Sequence, residues 1–88
     1  MSDLFEQAME VEILNQMKAQ VANQLKELIG KRNTNRFDLA NKMQISHHYM
    51  IKILTGKANL SFAMLSRFVM VLDLNVTIKL ERNNETVI

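Results

Sequence analysis

Apolar residues recur every three or four positions along the first third of the chain: Leu4, Ala8 and Val11, then Leu14, Met17, Val21, Leu25 and Leu28. That spacing predicts an amphipathic helix. Ser2 suits its N-cap, with Asp3 and Glu6 in the first turn, where the helix dipole favours acids. Gly30 suits its end, as the residue just past the last turn. Residues 9–13 (M-E-V-E-I) alternate as a strand would, so residues 3–29 read as one helix or as two. The flanking Ala, Gln, Glu, Lys, Leu and Met favour helix.

The pattern then shortens. After a polar, basic loop at Lys31–Thr34, Asn35 suits an N-cap with Asp38 three residues on, and Leu39, Ala40 and Met43 face inward with Phe37 beside them. Ala40 is small enough for a second helix to cross closely. Gln44–Ile45 forms a turn, Ser46 caps the next helix, and Met50, Ile53 and Leu54 share one of its faces. Gly56 closes it. Two short helices joined by a tight turn over residues 35–56 are the centre of the prediction.

Ser61 caps a further helix, Phe62–Leu72, in which only Ser66 and Arg67 are not apolar. A helix apolar nearly all round must be covered nearly all round. In a chain this small the spare face is a candidate subunit interface, with Phe68 and Val71 its expected contacts and Met64 and Met70 able to line it. Asp73–Asn75 breaks the helix. Val76, Ile78 and Leu80 then alternate with Thr77, Lys79 and Glu81, the clearest strand signal in the chain. A lone strand leaves its backbone groups unpaired, and no second strand is evident. Residues 75–82 are therefore expected to pair antiparallel with the same segment of a second copy. Residues 83–88 read as a flexible tail.

Composition narrows the class. Eighty-eight residues, 48% of them hydrophobic, make one domain (residues 1–82) with a thin core and no composition of disorder. The absence of cysteine excludes disulfides and thiolate-bound metal. The longest apolar run, Phe68–Leu72, is far short of the roughly 20 residues that span a bilayer. The acidic start, M-S-D-L-F-E, has no secretory pattern, so a cytoplasmic location without membrane contact is the expectation. Net charge is +2, unevenly spread. Asp3, Glu6, Glu10 and Glu12 give residues 1–12 a charge of −4. Eight bases against Glu27 and Asp38 give residues 13–57 a charge of +6, and residues 58–88 balance. The positive charge thus surrounds the paired short helices, as a phosphate-facing surface would require.

At residues 36–56 the chain resembles the helix-turn-helix of the Cro/cI-type (XRE) family of DNA-binding proteins. Leu39-Ala40 match that family's first motif helix, Ile45-Ser46 its turn, Met50 and Ile53 its recognition helix, and Gly56-Lys57 its close. The following N-L-S-F-A-M-L-S-R-F-V-M-V-L resembles the family's next helix, so the likeness covers roughly Leu25–Val76. It implies a mainly α, lambda-repressor-like domain of four to five helices, here with one C-terminal β-strand paired across a dimer. Two positions depart from the family: Gln44 stands where glycine is usual, and Leu60 where proline is common. The helix followed by V-T-I-K-L is also similar to small antitoxin-type members of the family.

With Met50, Ile53 and Leu54 turned inward, His48, Lys52 and Thr55 point outward, flanked by Ile51 and Tyr49. The first turns of a recognition helix meet base edges in the major groove. His47, His48 and Lys52 are the candidate polar base contacts, and Ile51 suits a thymine methyl. Arg36 and Lys57 are, by the resemblance, expected at backbone phosphates. Tyr49, Thr55, Lys42 and Arg32 complete the candidate phosphate set, with Lys31 adding general attraction. Adjacent His47 and His48 project about 100° apart on a helix and make a poor metal site. No Cys nucleophile, His-Glu metal motif, Gly-rich phosphate loop or nucleophile elbow is present, which argues against an enzyme and calls for no cofactor. The expected function is a sequence-specific transcriptional regulator, acting as a repressor and binding double-stranded DNA as a homodimer on a palindromic operator. The alternative is an antitoxin that binds a toxin protein and autoregulates its operon.

Overall fold

A computed structural model describes residues 3–82. Ser2 and the expected tail at residues 83–88 lie outside the described residues. Four helices follow one another: α1 (Leu4–Lys31), α2 (Arg36–Met43), α3 (His47–Leu54) and α4 (Phe62–Leu72).

The first helix is unbroken across residues 9–13 and runs for 28 residues, about 42 Å at 1.5 Å per residue. Its cap is Asp3, whose carboxylate accepts from the Glu6 amide at 2.8 Å. Helix geometry wins over the local alternation because the flanking residues on both sides are strong helix formers. The helix also passes through Gly30, contrary to the sequence expectation. Asn33 takes the left-handed position instead (φ 54°), a conformation Asn tolerates better than most residues. The Arg32 amide closes the last turn onto Leu28 and Ile29. Nothing lies within 4 Å of where a Cβ on Gly30 would stand.

The short helices are set by their caps. Asn35 Oδ1 accepts from the Asp38 amide at 2.9 Å, while Asn35 Nδ2 donates to the Asp38 carboxylate at 3.0 Å. Ser46 Oγ accepts from the Tyr49 amide and Ser61 Oγ from the Met64 amide, each at 3.0 Å. Between α2 and α3, Gln44 is left-handed (φ 57°, ψ 43°). The Ile45 amide then reaches back to the Ala40 carbonyl at 3.0 Å, satisfying an orphan carbonyl of the helix end. A non-glycine residue in this region costs about 1 kcal/mol, and the reach-back bond offsets it.

Leu25 and Ile29 of α1, Leu39, Ala40 and Met43 of α2, Met50, Ile53 and Leu54 of α3, and Phe68 and Leu72 of α4 form one buried cluster. Phe68 is 0% exposed and sits within this core, not on a subunit face as its sequence position implied. Val71 is half-buried against the same cluster. Phe68 is covered because the apolar side chains of all four helices meet in one cluster around it, leaving Phe62 and Met70 as the large exposed apolar residues of α4. After Asp73, left-handed at φ 54°, residues 74–82 form no strand among the described residues. Val76, Ile78 and Leu80 are exposed, Leu80 by 92%. A ladder needs a second strand, and the described residues supply none. Lys79 and Glu81, two apart, pair at 2.8 Å.

The described molecule measures 47 × 24 × 19 Å. Its long dimension reflects α1, whose buried residues (Ala22, Leu25 and Ile29) all lie in its second half. Residues 3–17 are exposed throughout.

Candidate nucleic-acid interface

The outer face of α3 follows from its inner one. Met50, Ile53 and Leu54 are buried, and at 100° per residue His48, Lys52 and Thr55 must then lie on the far side, where all three are exposed. Ile51, half-buried, borders this face. It also lines a cleft with Arg36 at the start of α2, Lys26 and Gly30 on α1, and Thr55 at the end of α3. Arg36, Ile51 and Thr55, drawn from separate stretches, thus surround one surface depression. Lys26, which the sequence pattern did not single out, adds a second base to its rim.

The other candidates are placed differently. His47 is half-buried and stacks face to face on Phe37, with centroids 3.7 Å apart and planes 7° apart. Its Nδ1 is buried without a hydrogen-bond partner. The stack ties the first turn of α3 to the first turn of α2, so this ring braces the motif and presents less to a ligand than His48 does. Tyr49 is half-buried against the core. Thr55 Oγ1 donates to the Ile51 carbonyl at 2.8 Å, closing the helix end. Arg32 donates through Nη2 to the Asp73 carbonyl at 2.8 Å and so holds the end of α4. Lys42 and Lys57 are exposed at the ends of α2 and α3. The Lys57 amide donates to the Lys52 carbonyl at 2.9 Å, which fixes the backbone leaving α3.

Sequence reading missed the residue that clasps the motif from behind. Arg67 donates through Nη2 to the Met43 carbonyl, the last of α2. Its signal was present: the one charged residue of a helix otherwise apolar but for Ser66 needs a partner for its charge. A cation at a helix C-terminus also meets the negative end of the dipole. The lone carboxylates near the basic segment have structural duties: Glu27 pairs with Lys31 at 3.0 Å and Asp38 joins the α2 cap. Among the described residues, no helix is long and apolar enough to cross a membrane, and no group of three or more His, Cys, Asp and Glu side chains gathers to hold a metal ion.

The arrangement is a braced pair of short helices whose outer face carries hydrogen-bonding and cationic groups. No protein-family model, curated protein or solved structure matches the chain.

Proposed function

We propose that this protein is a sequence-specific DNA-binding regulator that lays α3 in the major groove. The observation that carries the reading is the outer face of α3, where His48 and Lys52 stand exposed one turn apart beside the cleft rimmed by Arg36 and Lys26. His48 offers a donor or acceptor to base edges, Lys52 reaches guanine O6/N7 or a phosphate, and Ile51 packs against a thymine methyl. Arg36, Lys57 and Lys42 neutralise backbone phosphates and set the register. The helix-turn-helix resemblance over residues 36–56 supports the same assignment, and the left-handed turn at Gln44 is the geometry such a motif needs.

Two copies act together in this reading. Val76, Ile78 and Leu80 of each chain pair antiparallel about a two-fold axis, which gives their exposed apolar row a cover and their backbone a ladder. The two recognition helices then enter successive major grooves of a palindromic operator, about 34 Å apart, and a repressor follows from occupancy of that site.

Selection of bound sequences from a random DNA pool tests the proposal directly. Enrichment of a palindrome, with binding that weakens steeply as salt rises, is the expected result. Arg36→Ala combined with Lys52→Ala should abolish the enrichment while the fold is retained by circular dichroism. Unchanged binding by that double variant would remove the site assignment.

A further inference from the structure

Among the described residues, nothing covers the first half of α1. Leu4, Phe5, Val11 and Ile13 are each more than half exposed, Leu4 by 84%. Residues 4, 7, 11, 14, 18, 21, 25 and 28 (Leu, Gln, Val, Leu, Lys, Val, Leu, Leu) follow a seven-residue spacing on this helix, apolar at all but Gln7 and Lys18, the pattern of a helix–helix seam. Its second half is used: Leu25 is buried in the core, and Val21 packs against it. Its first half continues the same stripe outward with no partner among the described residues. Where the stripe leaves the core, Leu14, Met17 and Val21 of α1 face Leu60, Phe62 and Leu65 across an apolar groove.

We infer that this seam is a self-association surface, occupied by α1 of a second copy running antiparallel. Charge selects that occupant and direction. Residues 3–12 carry four acids and no base, whereas residues 13–31 carry Lys18, Lys26 and Lys31 against Glu27, a net +2. Parallel alignment sets the acidic turns beside their own copies and Lys18 against Lys18 within the seam. Antiparallel alignment removes both conflicts. One register satisfies the repeat: Leu4 meets the partner's Val21, Gln7 the partner's Lys18, and Val11 the partner's Leu14. The overlap spans about 27 Å. Leu4 and Phe5 then reach the partner's groove at its Leu60, Phe62 and Leu65, and the acidic first turns approach Lys18. This contact uses none of residues 75–82 and does not depend on the DNA reading.

The test is the assembled mass of the full chain in sedimentation equilibrium, with and without Val11→Glu. Val11 is 56% exposed in the single chain, so the substitution leaves the fold intact, and an unchanged helical spectrum and melting temperature verify that. The expected result is a mass that falls by half, the self-association constant dropping about a hundredfold as an unpaired charge enters the seam. Lys18→Glu should weaken association in the same direction. Since the chain has no cysteine, Val11→Cys and Leu14→Cys variants mixed before oxidation should form the mixed disulfide in excess. A monomeric wild-type chain, a mass that Val11→Glu leaves unchanged, or a predominant Val11–Val11 cross-link would overturn the inference. The first of these, together with capture of a basic protein on the acidic helix, would assign the surface to a different partner. Ile78→Asp reports on the paired-strand contact separately, and operator binding by Val11→Glu distinguishes loss of this interface from loss of DNA recognition.

Discussion

Arg67 on α4 donates to the carbonyl of Met43, the last residue of α2, across 24 residues of chain. The helix that carries Phe68 into the core therefore also holds the end of the first motif helix, one residue before the left-handed turn at Gln44. Replacing Arg67 by Met keeps its apolar stem and removes the donor. The expected loss is about 1–3 kcal/mol, the cost of leaving a part-buried acceptor without its charged partner, read as a lower midpoint in urea. On the proposed DNA-binding reading, operator affinity should fall as well, because the turn that aims α3 loses its support.

Gln44 sets a second prediction. At φ 57° it occupies a region in which glycine meets no steric cost. Gln44→Gly should raise stability by up to about 1 kcal/mol, and Gln44→Val should lower it, since β-branching is least compatible with positive φ. Thermal unfolding of the three proteins orders them.

The two glycines should respond in opposite directions. Gly30 lies inside α1 with open space around it, so Gly30→Ala should stabilise by about 1 kcal/mol through helix propensity. Gly56 is left-handed (φ 74°) and packs over Ala19, where an added Cβ would stand 3.5 Å from the backbone. Gly56→Ala should therefore destabilise by about 1–2 kcal/mol. Equal effects of the two substitutions in denaturant titrations would contradict both assignments.

On the proposed DNA-binding reading, Arg32 and Lys57 separate structural from phosphate-facing charge. Arg32 is engaged with the Asp73 carbonyl, whereas Lys57 is exposed beyond α3. In binding titrations across salt concentrations, Lys57→Ala should lower the salt slope by about one unit and leave stability unchanged. Arg32→Ala should do the reverse, lowering the melting temperature with little effect on the slope.

Phe68 and Ile78 complete the set. Phe68→Ala should cost about 3–5 kcal/mol, enough to unfold much of a domain this small. Ile78→Asp changes an exposed side chain and should leave the chain's own stability within about 0.5 kcal/mol. Its effect should appear only in the assembled mass. Denaturant midpoints together with sedimentation distinguish the two.

The local elements were legible because their signals are local. Asn35, Ser46 and Ser61 cap helices by accepting from amides three residues on, and such contacts need only a few residues of chain. The inward faces of α2 and α3 were also readable, since apolar periodicity reports which side must leave water. What one stripe packs against is a different matter. An apolar position does not say whether its cover comes from the same chain or another, so Phe68 reads as a subunit contact in sequence although the chain's own cluster buries it. Gly30 read as a helix end because glycine often is one; Asn33 took that place, and the helix passed through. The roles of Arg32, His47 and Arg67 depended on partners 41, 10 and 24 residues away, distances over which sequence spacing carries no geometry. By itself the sequence determined the helical character of the chain, the N-caps of α2, α3 and α4, and the polar outer face of α3. Only the tertiary structure decided which bases brace the motif, which remain exposed on it, and that the described residues leave the first half of α1 uncovered. Those outcomes depend on how the helices pack together, which no single stretch of chain encodes.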